Sequence, residues 1–229
     1  MPSPTVLRLL ALGVLAGCAS GGASPRAAAT AATTGALPPD SVRYATRYGF
    51  TDADVRFMTD MIGHHAQAVV MSRLAPERAA SPSIRTLAAR IINAQRDEIA
   101  SMQTWLRDRG RPVPAPDTTA AALAHVGHDM GGAAGGHGDH AAMAGMLTPA
   151  QLRQLAEARG PVFDRLFLQF MIQHHRGATA MVEQLFATDG AGQDEGVFKL
   201  ASDINVDQVT EIARMERMLL DVLTGGGAP

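Results

Sequence analysis

The chain has 229 residues, of which 46% are hydrophobic and 18% charged, and its formal net charge is −2. That length suits one moderate domain with a tail, and the nearly balanced charge excludes the basic surface of a nucleic-acid-binding protein. Cys18 is the only cysteine, which excludes an internal disulfide framework and a thiolate metal site.

The N-terminus carries the pattern of an export signal. Arg8 precedes a short apolar run over residues 9–15, which is the order found in secretory signal peptides. The stretch LAGC (15–18) then resembles a bacterial lipobox. The resemblance implies removal of residues 1–17 and attachment of lipid to Cys18. An ordinary signal peptide that happens to contain a cysteine is the alternative.

The segments after Cys18 indicate how the mature chain is attached to the membrane. No later apolar stretch approaches the roughly 20 residues of a membrane-spanning helix. We therefore expect an exported protein, anchored through lipid alone on the periplasmic or cell-envelope face of a bacterial membrane. Residues 18–40 are small, proline-bearing and poor in large apolar groups, so they cannot bury enough surface to fold. We interpret them as a flexible tether before a domain over 41–229.

An internal repeat organises this domain. FMTDMIGHHAQAVVM (57–71) matches FLQFMIQHHRGATAM (167–181) at an offset of 110, and LAARIINAQRDEIASMQTWL (87–106) matches LASDINVDQVTEIARMERML (200–219) at an offset of 113. Two matches in the same order indicate a duplicated unit, with repeats at about 50–109 and 160–222.

Each repeated segment is predicted to be an α-helix, because its apolar residues recur at three- and four-residue spacing. Thr51, Ser81 and Thr148 stand where N-caps are needed, and Gly110 suits a helix end. Gly160, followed by proline, should separate the short helix after Thr148 from the second His-His helix. Each half is then a helical hairpin with an open apolar face. Two such hairpins should pack as an all-α four-helix bundle.

All eight histidines fall in the repeated helices or in the linker between them. The linker, 110–148, is rich in His, Met and Gly over 125–146, and this much glycine predicts a mobile segment rather than a helix. Such tracts gather metal ions, although drift in a loop can also produce one. A lone inward histidine is usually a hydrogen-bonded core residue. Two His-His pairs, each with a methionine three residues earlier, favour metal binding instead.

The second helix of each half carries a carboxylate on its apolar face. At 100° per residue, Glu98 shares a face with Ile91 and Met102, and Glu211 recurs at the matching position. A buried carboxylate is costly unless it is paired or metal-bound, so each glutamate either pairs with Arg or His or binds a metal. The same 100° step turns adjacent histidines apart. We therefore expect one histidine of each pair to face the interior and the other the flank.

The types of ligand select the metal. Thioether sulfur is soft and imidazole is borderline, and together they favour copper(I) and silver(I). Zinc is less favoured, because zinc sites usually combine cysteine, histidine and carboxylate. The Glu-x-x-His pairs of di-iron bundles do not occur in this sequence. Each methionine also has a plain interpretation as a gap-filling core residue.

These motifs resemble the bacterial domain-of-unknown-function family 305. The resemblance rests on FMTDMIGHHAQA (57–68), the pattern Gln95…Glu98-Ile99…Met102, and the second copy FDRLFLQFMIQHHRGA (163–178). It implies a ferritin-like helical bundle and, as in some members, periplasmic copper binding linked to copper resistance. The ligand set that it implies is Met61, His64, His65 and Met102, with Met171, His174, His175 and Met215.

The sequence thus predicts an envelope protein that sequesters or transfers copper(I) or silver(I), with a copper transporter or chaperone as its protein partner. The alternatives are a copper-dependent redox protein and a metal-free structural module at the membrane surface. No catalytic residue is predicted. The candidate metal ligands are Met61, His64, His65, Met71, Glu98 and Met102 in the first half, Met171, His174, His175, Met181, Glu211 and Met215 in the second, and His125, His128, Met130, His137 and His140 in the linker.

Overall fold

The structure is a computed structural model that describes residues 49–116, 118 and 143–224. The predicted signal peptide, Cys18, the tether 18–40 and the linker ligands His125, His128, Met130, His137 and His140 lie outside the described residues. The helices are α1 (Asp52–Ser72), α2 (Ala75–Arg78), α3 (Pro82–Asp108), α4 (Pro149–Glu157), α5 (Gly160–Phe186) and α6 (Glu195–Thr224). The described ranges contain no strand, which confirms the all-helical class. None of these helices combines the length and apolarity needed to cross a membrane.

The helix boundaries follow the predicted caps. Thr51 and Asp54 form a capping box at the start of α1, and Thr148 and Gln151 form another at the start of α4. The Ser81 side chain accepts a hydrogen bond from the Ser83 backbone ahead of α3. These bonds satisfy backbone N–H groups that a helix start leaves without partners.

The first helix of each half is tied to the other half by an aspartate near its start. Asp54 of α1 accepts a hydrogen bond at 2.7 Å from the backbone of Gly192, in the loop before α6. Asp164 of α5 accepts bonds at 3.1 and 2.9 Å from the backbones of Ala80 and Ser81, in the loop before α3. The two aspartates are 110 residues apart, which is the offset of the repeat. These reciprocal bonds join residues far apart in the chain, so no local sequence pattern predicts them.

The four long helices pack in a closed cycle of contacts: α1 on α3, α3 on α6, α6 on α5 and α5 on α1. They enclose two apolar clusters. The first holds Met61, Met102 and Val182, and the second holds Met71, Leu87 and Phe167. The start of α1 lies beside the end of α5, and the end of α1 lies beside the start of α5. The two helices therefore run antiparallel.

Each long helix passes from one apolar cluster to the other, and polar side chains occupy the level between them. On α1, cluster residues stop at Ile62 and resume at Ala68, and on α5 they stop at Ile172 and resume at Ala178. We call the side chains at this level the polar layer: His64, His65, Gln95, Glu98, His174, His175, Gln208 and Glu211. The fold therefore places all four helical histidines at one depth in the protein.

Candidate metal centre

The polar layer is buried although it consists of ionisable and amide side chains. His64, His65 and His175 are fully buried and His174 is 1% exposed. Gln95 and Gln208 are also buried, while the side chains of Glu98 and Glu211 are 12% and 17% exposed. Both members of each His-His pair are thus inside, which corrects the expectation that one would face the flank. Adjacent histidines do point apart, but a neighbouring helix covers each direction.

One histidine of each pair contacts a carboxylate on the partner helix of its own half. Nε2 of His65 lies 2.7 Å from Oε2 of Glu98, and Nε2 of His175 lies 2.7 Å from Oε2 of Glu211. The second contact is an aligned hydrogen bond, whereas the first is close without that alignment. The glutamates therefore pair with histidine, which is one of the two roles predicted for them.

The other histidine of each pair meets its counterpart across the interface between α1 and α5. The ring centroids of His64 and His174 are 3.9 Å apart, with the ring planes inclined by 38°. Nε2 of His64 donates a hydrogen bond at 3.0 Å to the carbonyl oxygen of Ala144. The ring of His174 also lies close to the backbone of His64. This contact joins the two halves through their histidines.

Every one of the four imidazoles has a buried nitrogen without a hydrogen-bond partner among the described residues. These atoms are Nδ1 of His64, Nδ1 of His65, Nε2 of His174 and Nδ1 of His175. An unsatisfied buried polar atom typically costs about 1–3 kcal/mol, and four of them at one level are unusual for a structural core. A nitrogen with a free lone pair in this setting is available as a ligand.

Burial also fixes the protonation state of His64 and His174, which we call the central pair. Burial lowers the pKa of His64 to about 3, and repulsion from His65 acts in the same direction. Burial is the main cause that holds the pKa of His174 well below its usual range, and repulsion from His64 is the next largest. Both rings are therefore neutral near pH 7, and neutral imidazole is the form that binds metals.

The predicted methionine ligands flank the polar layer on both sides. Met61 and Met102 are fully buried in the first apolar cluster, and Met181 packs against it. Met171, Met215 and Met71 are fully buried in the second cluster. Because α1 and α5 are antiparallel, each cluster takes predicted methionines from both halves. Thioethers are thus present above and below the histidines.

The described side chains hold no cage built from His, Cys, Asp and Glu alone. No group of three or more such side chains is arranged to hold a metal ion within residues 49–116 and 143–224. The thioethers of the two adjacent apolar clusters are the further donors near this level. Imidazole together with thioether is a donor set that fits a soft cation better than a hard one.

Residues 143–147, which we call the strap, cross α1 and α5 at the polar layer. Gln67 holds the strap at both polar groups of the Leu147 backbone: its Nε2 donates to the carbonyl at 3.2 Å, and its Oε1 accepts from the N–H at 2.7 Å. Gln173 donates to the carbonyls of Gly145 and Met146. Residues 143–146 end the stretch that the sequence predicts to be mobile, and the carbonyls of Ala144, Gly145 and Met146 accept hydrogen bonds from side chains of the bundle.

A close backbone approach explains two glycines at the strap. A Cβ atom on Gly177 would lie 2.0 Å from the carbonyl oxygen of Ala144, and one on Gly145 would lie 2.6 Å from the carbonyl oxygen of Gln173. Gly145 also has a φ of +75°, a conformation that other residues adopt at a cost. Gly177 inside a helix was the sequence signal for this contact, since helical glycine is disfavoured unless packing requires it.

The family of the chain follows from a comparison with family models. The model of the domain of unknown function DUF305 matches residues 54–219. The chain belongs to the DUF305 family. The matched region includes the polar layer, the strap and most of both apolar clusters. Among curated proteins, none matches this chain.

Solved structures of similar chains agree with this assignment. A DUF305 fragment from Deinococcus radiodurans is 30% identical, with a TM-score of 0.59, over 74% of this chain and 97% of its own. A DUF305 protein from Streptomyces coelicolor, described as a secreted protein, is 27% identical, with a TM-score of 0.57, over 74% and 92%. CopM in its Cu(II)-bound form is 32% identical, with a TM-score of 0.54, over 73% and 96%. CopM has also been solved with Cu(I) and with silver bound.

Proposed function

We propose that this protein binds copper(I), and by the same chemistry silver(I), at the polar layer, and that it sequesters or transfers the ion in the cell envelope. The observation that carries the proposal is the set of four neutral or carboxylate-paired imidazoles, each with a buried nitrogen that lacks a partner in the described part of the chain. A bound cation would satisfy those nitrogens.

The glutamates support this assignment. A histidine that binds a metal through one nitrogen usually has its other nitrogen held by a carboxylate or carbonyl, which fixes the ring and its tautomer. Glu98 and Glu211 stand 2.7 Å from Nε2 of His65 and His175, and the carbonyl of Ala144 holds Nε2 of His64. The Nδ1 atoms of all three rings are then left for the metal.

The methionines support a soft ion. Met61 and Met102 lie in one apolar cluster, and Met171 and Met215 lie in the other, so each half offers two thioethers beside its own histidines. Thioether sulfur binds soft d¹⁰ cations well and harder ions poorly. The similarity to CopM, which has been solved with Cu(I), Cu(II) and silver, supports the same choice. Zinc is the weaker candidate.

The cell envelope is the setting that we propose for this activity. The apolar run before Cys18 favours export with a lipid anchor at that residue, and the relative from Streptomyces coelicolor is described as secreted. Residues 18–40 would serve as the tether, and His125, His128, Met130, His137 and His140 as a collecting arm that delivers ions to the bundle. We also propose that the four long helices are a ferritin-like bundle formed by duplication of a helical hairpin.

A metal-loading experiment tests the proposal. The mature protein is incubated under reducing conditions with equal copper(I) and zinc, passed through a desalting column, and analysed for bound metal. We expect copper to be retained in preference to zinc. A variant in which His64, His65, His174 and His175 are replaced by Gln should retain less copper, and the remainder should reflect the linker. Equal retention by the two proteins would show that the polar layer is not the site.

A further inference from the structure

A cleft opens between α1 and α5 on the outer side of the strap. It has a volume of about 390 Å³, and its walls include Met143 of the strap and Met181 of α5. Both methionines are only half-buried, whereas Met61, Met71, Met102, Met171 and Met215 are fully buried. The cleft therefore offers two thioethers to ions in solution, which the apolar clusters do not.

The cleft and the polar layer share one residue. Ala144 lines the cleft, and its carbonyl oxygen accepts the hydrogen bond from Nε2 of His64. The cleft with its two half-buried thioethers thus adjoins the central histidine pair through Ala144. An ion held in the cleft would be next to the residue whose carbonyl holds His64.

The side chain of Leu147 anchors one end of the strap in the second apolar cluster, whereas the contacts of residues 143–146 are specific but few. The backbone of the strap is held by Gln67 and Gln173 and fits against Gly177 because no side chain intervenes there. Each such hydrogen bond contributes only about 0.5–1.5 kcal/mol net. Residues 143–146 can therefore leave their position without unfolding the helices beneath them, since the helix cores lie in the two apolar clusters and Leu147 stays buried in the second.

We propose that this cleft is a loading site for soft cations, with Met143 and Met181 as its first ligands, and that the strap is the barrier between it and the polar layer. The inference rests on the proposed function and names the route to that site. An ion binds the two thioethers, the strap releases Nε2 of His64, and the ion passes to the imidazoles. Met143 and Met181 then govern the rate of loading rather than the final affinity.

The test measures how fast copper(I) passes from its bicinchoninate complex to the full mature chain without oxygen. Replacing Met143 and Met181 by Leu should slow transfer by about tenfold or more, because soft cations lose their thioether ligands, while equilibrium affinity changes little. The matched control is Met58→Leu, since Met58 is a fully buried methionine of α1 whose counterpart in the second half is already Leu168. It should transfer copper at the wild-type rate.

The strap is tested separately with Gly177→Ala, whose added Cβ collides with Ala144 although alanine favours a helix more than glycine by about 1 kcal/mol. Gln67→Leu removes two bonds of the strap and serves as a second variant. Both should load faster than wild type. Gln154→Leu, on an exposed position of α4 that is not a hydrogen-bond partner of the strap, is the control.

Each result has a distinct meaning. An unchanged rate in the Met143/Met181 variant overturns the loading site, and so does a loss of final affinity, which would make the two methionines part of the resident site. Unchanged or slower loading in both strap variants overturns the barrier. If the wild type takes up no copper at all, the proposed function itself fails, and the loading site fails with it.

Discussion

The two halves of the protein present the same chemistry at matching positions. In the first, His65 lies 2.7 Å from Glu98, and in the second, His175 lies 2.7 Å from Glu211. The histidine-bearing helices of the two halves differ in how they contact the strap. Within the described residues, His64 hydrogen-bonds to the strap through the carbonyl of Ala144, and its counterpart His174 does not. The halves therefore share their histidine–glutamate pairs but not their contacts with the strap.

Two of the positions at which the matching segments differ are positions that hold the strap. At the offset of 110, Gly63 corresponds to Gln173 and Gln67 corresponds to Gly177. Each helix thus supplies one glutamine that bonds to the strap, and α5 supplies the glycine against which it packs. The matching segments differ at these positions but keep the histidines, so the polar layer and the position of the strap are determined by separate residues.

The largest effect that we expect is on the stability of the metal-free protein in acid. The pKa of His64 is about 3 in the folded protein, and the ordinary pKa of histidine in the unfolded chain is about 6.5. At a pH between these two values, only the unfolded chain binds the proton. Stability should therefore fall with decreasing pH below about 6.5, by up to 1.4 kcal/mol per pH unit for each such histidine. Urea unfolding at pH 7, 6 and 5 measures this fall.

A variant relates that pH dependence to the central pair. His64→Gln should unfold with a smaller loss of stability between pH 7 and pH 5 than the wild type, because one histidine no longer gains a proton on unfolding. His174→Gln should have a similar effect, since the pKa of His174 is lowered by the same cause. Identical pH slopes in wild type and both variants would contradict the burial of these rings as neutral groups.

The next largest effect is on copper(I) affinity when a carboxylate is removed, and it tests whether the two halves contribute equally to binding. Glu98→Gln and Glu211→Gln each remove the anion that holds a histidine, and outer partners of this kind typically contribute 10–100-fold in metal affinity. We expect similar losses of copper(I) affinity in the two variants, measured by competition with a chromophoric chelator. A large loss in one variant and none in the other would show that a single half binds the ion.

The smallest effect is on stability when methionine is replaced by leucine. Met61→Leu and Met171→Leu conserve volume, so each should lower the free energy of unfolding by less than about 1.5 kcal/mol. Copper(I) affinity should nevertheless fall, because a thioether ligand is lost, while zinc binding through imidazole stays. Met58→Leu is the control, since it changes the same core without touching a predicted ligand. Unchanged copper(I) affinity would show that both methionines have only a structural role.

Local sequence patterns predicted much of this architecture. The capping boxes at Thr51 and Thr148 and the inward position of Glu98 follow from spacing along one helix, and all three occur in the structure. Such features depend on residues three or four apart, which a sequence displays directly.

The features that the sequence did not predict depend on contacts between distant segments. The hydrogen bond from His64 to Ala144 spans 80 residues, and that from Gly192 to Asp54 spans 138. A glycine-rich stretch gives no periodicity from which the docking of Met143–Leu147 could be inferred. The burial of both histidines in each pair likewise required knowledge of which helices surround α1 and α5.

X-ray absorption at the copper edge of the copper(I)-loaded protein, with residues 125–142 deleted to remove the linker ligands, tests the central claim most directly. If the polar layer and the flanking methionines hold the ion, the spectrum will require both imidazole nitrogen and thioether sulfur. Replacing Met61, Met102, Met171 and Met215 by Leu will then remove the sulfur contribution. A spectrum with no sulfur, or one that these substitutions leave unchanged, would contradict the account.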